Sequence, residues 1–174
     1  MIGCRTRHLD SCASTNDEAA RWANDSQDPA PHGAVVVAEI QSAGRGRLGR
    51  SWHSPAGENL YFSCVLRPAL KAHQVPPITL CAGLAVCEAV NSLGVDASIK
   101  WPNDVLVGSR KVAGVLTEMA THSQEVDSVF VGIGVNVNSL TFPIDLQATS
   151  LALETGREHQ RPQVLGAILF AMDQ

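Results

Sequence analysis

The chain has 174 residues, the length of one ordinary domain, of which 45% are apolar and 17% charged. That composition excludes a disordered polymer, and a formal net charge of −4 excludes a generally basic surface built for nucleic acid. The cysteine count of 5 is odd and lacks metal-ligand spacing, which points to reduced thiols and a cytoplasmic setting. Cys81 and Cys87, inside an apolar run, read as small core residues. Met1–Arg5 has no apolar signal core, and no apolar run is expected to span a membrane.

Thr6–Leu9 is expected as a short strand. A helix follows: Thr15 and Glu18 stand at capping-box spacing, and Ala19, Trp22 and Ala23 share one face. Asp28–Gly33 is a loop, and Val35–Ala38 a buried strand. Gln41–Pro55 is polar, glycine-rich and too long for a turn. Leu60–Leu66 alternates as a strand, and Pro76-Pro77 opens a long apolar helix ended by Gly94. Being apolar on nearly every side, that helix is expected to be central. Short strands follow at Ser98–Lys100, Val105–Val107, Val112–Met119 and Val129–Val135, with a hairpin turn at Gly108-Ser109-Arg110. Arg161-Pro162 starts a last helix with Val164, Leu165, Ile168, Leu169 and Met172 as its stripe. Without a βαβ rhythm, the order predicts an α+β domain: a mixed, largely antiparallel sheet with packed helices.

Five segments carry chemistry. Gly44-Arg45-Gly46-Arg47-Leu48-Gly49-Arg50-Ser51-Trp52 alternates glycine with arginine. Glycine lets backbone N–H groups approach a ligand, and arginine offers a planar cation for phosphate or carboxylate. Read alone, the run serves equally as a solvated surface loop or a nucleic-acid-binding segment. Lys100-Trp101-Pro102-Asn103-Asp104 sets a lysine and an aspartate on either side of a rigid corner. In Lys111-Val112-Ala113-Gly114-Val115-Leu116-Thr117-Glu118, strand alternation puts Val112, Gly114 and Leu116 on one face and Lys111, Ala113 and Val115 on the other. Gly114 inside a strand marks close approach of a ligand or a neighbouring backbone. Gly132-Ile133-Gly134-Val135-Asn136-Val137-Asn138 is a strand with room beside its glycines, and its two asparagines are expected on one side. Ser14-Thr15-Asn16 is a helix start with polar groups for a small ligand. No nucleophile elbow, Walker loop or metal motif is present in the sequence.

Together and in their order along the chain, from Ser14-Thr15-Asn16 to Gly132–Asn138, these five segments resemble the biotin–protein ligase family over about residues 8–172. The resemblance implies a catalytic core like that of class II aminoacyl-tRNA synthetases. It also implies two reactions: biotin and Mg-ATP form biotinyl-5′-adenylate, and the biotinyl group then passes to a lysine of a biotin carboxyl carrier protein. Family knowledge assigns Ser14, Thr15, Asn16 and Gln41 to the biotin head group. Arg45, Gly46, Arg47 and Gly114 line the biotin site, and Lys111 meets both the carboxylate and the α-phosphate. Arg47, Arg50, Trp52, Lys100, Asn103, Asp104 and Asn136 surround the nucleotide. Lys111, Arg47 and Arg45 carry the catalytic charge. No dedicated metal ligands are implied; Mg²⁺ arrives on the ATP phosphates near Asn136.

The stretch before Ser14 is too short for the winged-helix domain of ligase–repressors, and the family's small C-terminal β domain is missing. The expectation is therefore a single catalytic domain, 1–174, of the monofunctional form, acting in the cytoplasm. Neither DNA nor membrane is an expected partner, and a homodimer formed by extending a sheet edge is compatible with the resemblance. The alternatives left open are a lipoate–protein ligase, a nucleic-acid-binding module using the Gly-Arg run, and a domain that holds biotin without transferring it.

Overall fold

The β-branched run that the sequence marks as buried is the middle of the domain's first long-range pairing. In the computed structural model, which describes residues 1–123 and 125–174, Val35–Val37 lie in a strand whose five residues are all buried. Seven strands form one sheet: β1 (Thr6–Leu9), β2 (Ala34–Ala38), β3 (Leu60–Leu66), β4 (Ala97–Lys100), β5 (Asp104–Val107), β6 (Arg110–His122) and β7 (Glu125–Val135). Their order is β1-β2-β3-β7-β6-β5-β4. Only β1 and β2 pair in parallel; every other neighbouring pair is antiparallel. The mixed, largely antiparallel α+β architecture is the one expected.

Period-two alternation sorts the two faces. Phe62 and Cys64 of β3, with Val131, Ile133 and Val135 of β7, face a core closed by α2 (Pro76–Ser92) and α4 (Arg161–Met172). Val65 and Phe130 face the opposite way, against Ala19, Trp22 and Ala23 of α1 (Thr15–Ala23). Each fully buried valine of the larger core, such as Val86 or Val131, contributes about 1.5–3 kcal/mol relative to exposure.

Several expectations change. Ser14, not Thr15, is the N-cap of α1, and no side chain of the helix start caps it. Gln41 takes that task from a distance: its Oε1 accepts from the Thr15 backbone N–H at 2.8 Å. The helix α2 packs on the sheet through one side only, so Leu80, Cys81 and Leu84 are exposed. Cys87 is a core residue as expected, whereas Cys81 is not. The segment Ala72–Ser92 is long and apolar enough to cross a membrane by length and composition. Here Val86 and Val90 are fully buried, and it serves as a core helix. The hairpin strands β6 and β7 run longer than their apolar centres indicate, because backbone pairing continues through polar ends such as His122 and Glu125. A short helix α3 (Leu151–Thr155) also forms, capped by Ser150 and ended by left-handed Gly156.

After β7 the chain is clasped to the start of α4. The Asn138 side chain and the His159 backbone exchange two hydrogen bonds of 2.9 Å, and the imidazole Nε2 lies 2.7 Å from Thr155 Oγ1. Burial, reinforced by the Arg157 charge, lowers the His159 pKa below its ordinary 6.5. The unfolded chain therefore binds the extra proton first as pH falls. Stability from the neutral ring is complete above the ordinary value and is lost as pH drops through the lowered one. Thermal melts at pH 7.5 and pH 5 should show a smaller acid-induced loss for His159→Gln than for the parent. Equal losses would remove His159 from the pH response.

Candidate active site

On the α1 face of the sheet lies a cleft of about 690 Å³. Its walls are the start of α1, the Gly-Arg segment, the Lys100–Asp104 corner and residues 145–148, with Phe142 beside them. Its floor is the β6–β7 hairpin, where Gly114 stands opposite Gly134. A Cβ at Gly134 would fall 2.4 Å from the Trp52 indole, and one at Gly114 would fall 2.9 Å from the same ring. At Gly132 it would fall 2.6 Å from Asn16 Oδ1. These glycines are therefore required by close approach, as Gly114 was expected to be. The indole lies directly on the pair, and its Nε1–H is buried with no hydrogen-bond partner among the described residues.

The position of Lys111 departs from simple alternation. Between β5 and β6 the register shifts: Val105 pairs with Ala113, but Leu106 pairs with Lys111. Val112 is the extra residue of a β-bulge, which reverses the phase of the strand. Lys111 thus shares the cleft face with Gly114 instead of the opposite face, and its Cε and Nζ are both 2.9 Å from where a Gly114 Cβ would sit. Its ammonium is 2.6 Å from Asp104 Oδ1 and 4.9 Å from the centre of the Trp52 ring. Around the bulge, Asn136 Nδ2 donates to the carbonyls of Lys111 (3.2 Å) and Thr149 (3.0 Å). Lys111 N–H bonds to Gln147 O at 2.9 Å, which brings residues 145–148 to the cleft.

A chain of polar groups runs beneath the head of the cleft. Gln41 Nε2 donates to Ser54 Oγ, and Gln41 Oε1 lies 3.2 Å from Thr15 Oγ1. Buried Ser63 of β3 lies 2.7 Å from Thr15 Oγ1 and 2.6 Å from Asn16 Oδ1. A hydroxyl has one proton, so the consistent arrangement has Thr15 donating to Ser63 and Ser63 donating to Asn16. The Gly-Arg segment itself is a small hairpin. Gly46 N–H bonds to Arg50 O at 2.7 Å and Trp52 N–H to Gly44 O at 2.8 Å, with Leu48 left-handed at the tip (φ 58°). Arg45 is paired with Asp17 and Glu118, while Arg47 and Arg50 are exposed and have no ion-pair partner among the described residues.

Every candidate site residue of the sequence lines this one cleft: Ser14, Thr15, Asn16, Gln41, Arg45, Gly46, Arg47, Arg50, Trp52, Lys100, Asn103, Asp104, Lys111, Gly114 and Asn136. Asn138, expected beside Asn136, turns away to His159. Asn103 spends its side-chain N–H on Val115 O at 2.9 Å, which ties the corner to β6. Sequence reasoning missed Ser63, Phe142 and the stretch Asp145–Gln147. Ser63 carried one signal, a lone polar residue inside an apolar strand. Phe142 and Asp145–Gln147 carried none, since only the pairing of Lys111 with Ala148 brings that stretch there.

Sheet, cleft and polar floor define a ligand-binding α+β domain of one recognisable kind. The model of the biotin/lipoate A/B protein ligase family matches residues 9–136, and the chain belongs to that family. It is 39% identical to the bifunctional ligase/repressor BirA of Bacillus spizizenii over 99% of this chain and 54% of the relative. It is 44% identical to the biotin–[acetyl-CoA-carboxylase] ligase of Paracoccus denitrificans over 71% of this chain and 51% of that protein. The chain thus spans about half the length of these relatives. Among solved structures it resembles the Aquifex aeolicus biotin protein ligase in complex with biotin and ATP. That likeness has a TM-score of 0.84 at 35% identity, over 98% of this chain and 69% of that one.

Because Trp52 rests on a surface made by missing side chains, adding one should dislodge it. Gly134→Ala should leave the melting temperature within a few degrees but make one of the three tryptophans more accessible to acrylamide. The check is fluorescence quenching beside a Trp52→Phe control. Unaltered quenching would refute the seating of the ring.

Proposed function

We propose that this chain activates biotin with ATP and transfers the biotinyl group to a lysine of a biotin carboxyl carrier protein. The observation that carries the reading is the polarity of the cleft on the α1 face of the sheet. An uncharged hydrogen-bonding floor (Thr15, Asn16, Gln41) lies at one part, and the cations Lys111, Arg47, Arg50 and Lys100 line another. A neutral ureido head group fits the first and a carboxylate meeting a triphosphate fits the second. Relatives and solved neighbours that bear biotin ligase names add support.

In the first step a biotin carboxylate oxygen attacks the α-phosphorus of ATP, and the bond to pyrophosphate breaks. Both reactants are anionic, so the barrier falls when fixed cations meet the charge growing on the phosphoryl oxygens. Lys111, held on the cleft face by the bulge, and the exposed Arg47 and Arg50 are the groups for this task. In the second step the carrier amine attacks the acyl carbon and AMP leaves. No protein nucleophile enters either step. Among the described residues no cluster of three or more acidic, histidine or cysteine side chains could hold a metal. Mg²⁺ would arrive on the ATP phosphates, and Asp104 and Asn136 of the cleft lining would offer it oxygen donors. The buried Trp52 N–H, without a partner among the described residues, and the glycine floor beneath it are suited to a ligand that lifts the ring and lies under it.

A lipoate–protein ligase would use the same chemistry, but a dithiolane has no use for the polar floor. Titration calorimetry should give biotin binding and no lipoate binding, and mass spectrometry should show biotin added to a carrier lysine in the presence of Mg-ATP. Lipoate binding without biotin binding would overturn the reading. Lys111→Ala should slow adenylate formation by about 10²-fold, the order found on losing one charge donor to a transition state. Single-turnover formation of biotinyl-AMP at the parent rate would exclude Lys111 from that role.

A further inference from the structure

Arg45 differs from the other arginines of its segment. Its guanidinium makes a two-pronged pair with Asp17, 2.7 Å from Nη1 to Oδ2 and 2.8 Å from Nη2 to Oδ1. Nη2 also reaches Glu118 Oε2 at 3.0 Å and Oε1 at 3.3 Å. Two carboxylates thus surround one cation, which leaves Arg45 little charge to offer a phosphate. The pairing raises the Arg45 pKa and lowers that of Asp17, in each case first through the hydrogen bond between the two. The same Glu118 Oε2 accepts from Asn16 Nδ2 at 2.6 Å. The second proton of that amide goes to Leu116 O at 3.2 Å. Both donors of Asn16 are therefore spent, and Oδ1, which accepts from Ser63, keeps one free lone pair. Asn16 is buried, and turning its amide over would set Oδ1 against two acceptors, Leu116 O and Glu118, so the partners fix its sense.

We infer that Glu118 is a positioning and specificity-determining residue: it anchors the base of the Gly-Arg hairpin through Arg45 and makes Asn16 an acceptor toward the cleft. This inference rests on the biotin reading above. An acceptor selects a ligand N–H, which a ureido ring has and a dithiolane lacks. It also gives Arg45 a different task from Arg47 and Arg50. Arg45 is a tie between α1, β6 and the hairpin, and the anion is left to its neighbours. When the hairpin is seated, Glu118 is held between Arg45 and Asn16; when it leaves, the carboxylate loses one of its two partners. Closure of the segment and recognition of the head group are coupled through one side chain.

Three variants separate the two halves of the claim. Glu118→Ala should weaken biotin binding by about 10- to 100-fold, the range for a hydrogen bond to a charged group, with the melting temperature within a few degrees of the parent. It should raise KM for biotin more than it lowers kcat, which general loosening of the fold would not do. Glu118→Gln keeps an acceptor for Asn16 but no charge for Arg45. It should recover most of the biotin affinity while remaining as open as Glu118→Ala to trypsin after Arg47 and Arg50 in the absence of ligand. Arg45→Met should open the same sites, and adding it to Glu118→Ala should change trypsin sensitivity by less than about twofold, because contacting residues in one network are not additive. Parent-like biotin affinity in Glu118→Ala, a Glu118→Gln variant as weak as Glu118→Ala, or multiplying trypsin effects would each overturn the inference. Failure of the parent itself to bind biotin would instead overturn the proposed function, and the trypsin comparison would still test the anchor.

Discussion

The pairing of β6 with β7 sets Gly114 against Gly134, and this patch of bare backbone is the constraint on which the site is built. A sheet floor made of ordinary side chains would stand too high for an indole to lie against it. With the two Cβ atoms missing, Trp52 reaches the backbone itself. Its segment can then fold down over the sheet, which brings the Gly-Arg hairpin to the mouth of the cleft. Strand interiors lose stability to glycine. Here the cost is offset by the half-buried ring packed on the glycines and by the neighbouring strands, which hold β6 and β7 on both sides.

Charge is distributed unevenly over that floor. One part of the cleft has its polar groups joined in a chain from Ser54 through Gln41, the Thr15 backbone N–H and hydroxyl, Ser63 and Asn16 to Glu118. Such a chain is rigid because each member needs the next to stay satisfied while buried. Another part has cations. Lys111 meets Asp104, and Arg47 and Arg50 stand exposed at the hairpin tip. A neutral ring and an anionic tail call for these two environments, and the sheet supports both within one cleft.

The sequence carried much of this in legible form. Val35–Ala38 announced a buried strand and Leu60–Leu66 a strand, because branched and aromatic residues suit a pleated surface. Pro76-Pro77 and Arg161-Pro162 announced helix starts because proline has no N–H to lose there. The site segments were legible as residue types: glycine where backbone is approached, arginine and lysine where an anion is met. Less legible were features that depend on a distant partner. Gln41 serves the N-terminus of α1 from 26 positions away, and the start of that helix read falsely as a self-contained capping box. Cys81 read as a core residue because apolar neighbours along the chain do not reveal which side of a helix finds the sheet.

What the sequence by itself determined was most of the elements, the mixed sheet and the identity of the residues that could handle a carboxylate and a phosphate. These follow from local propensity and from side-chain chemistry, which travel with each residue. The face on which Lys111 stands was decided only by the tertiary structure. Strict alternation turns it away from Gly114, and the extra residue Val112 turns it back. A bulge exists only relative to a partner strand, so no pattern within β6 could reveal it. The loss of Arg45 to Asp17 and Glu118 was decided in the same way, 28 and 73 residues distant along the chain. An arginine displays its charge in sequence, but only the folded chain determines which anion claims it.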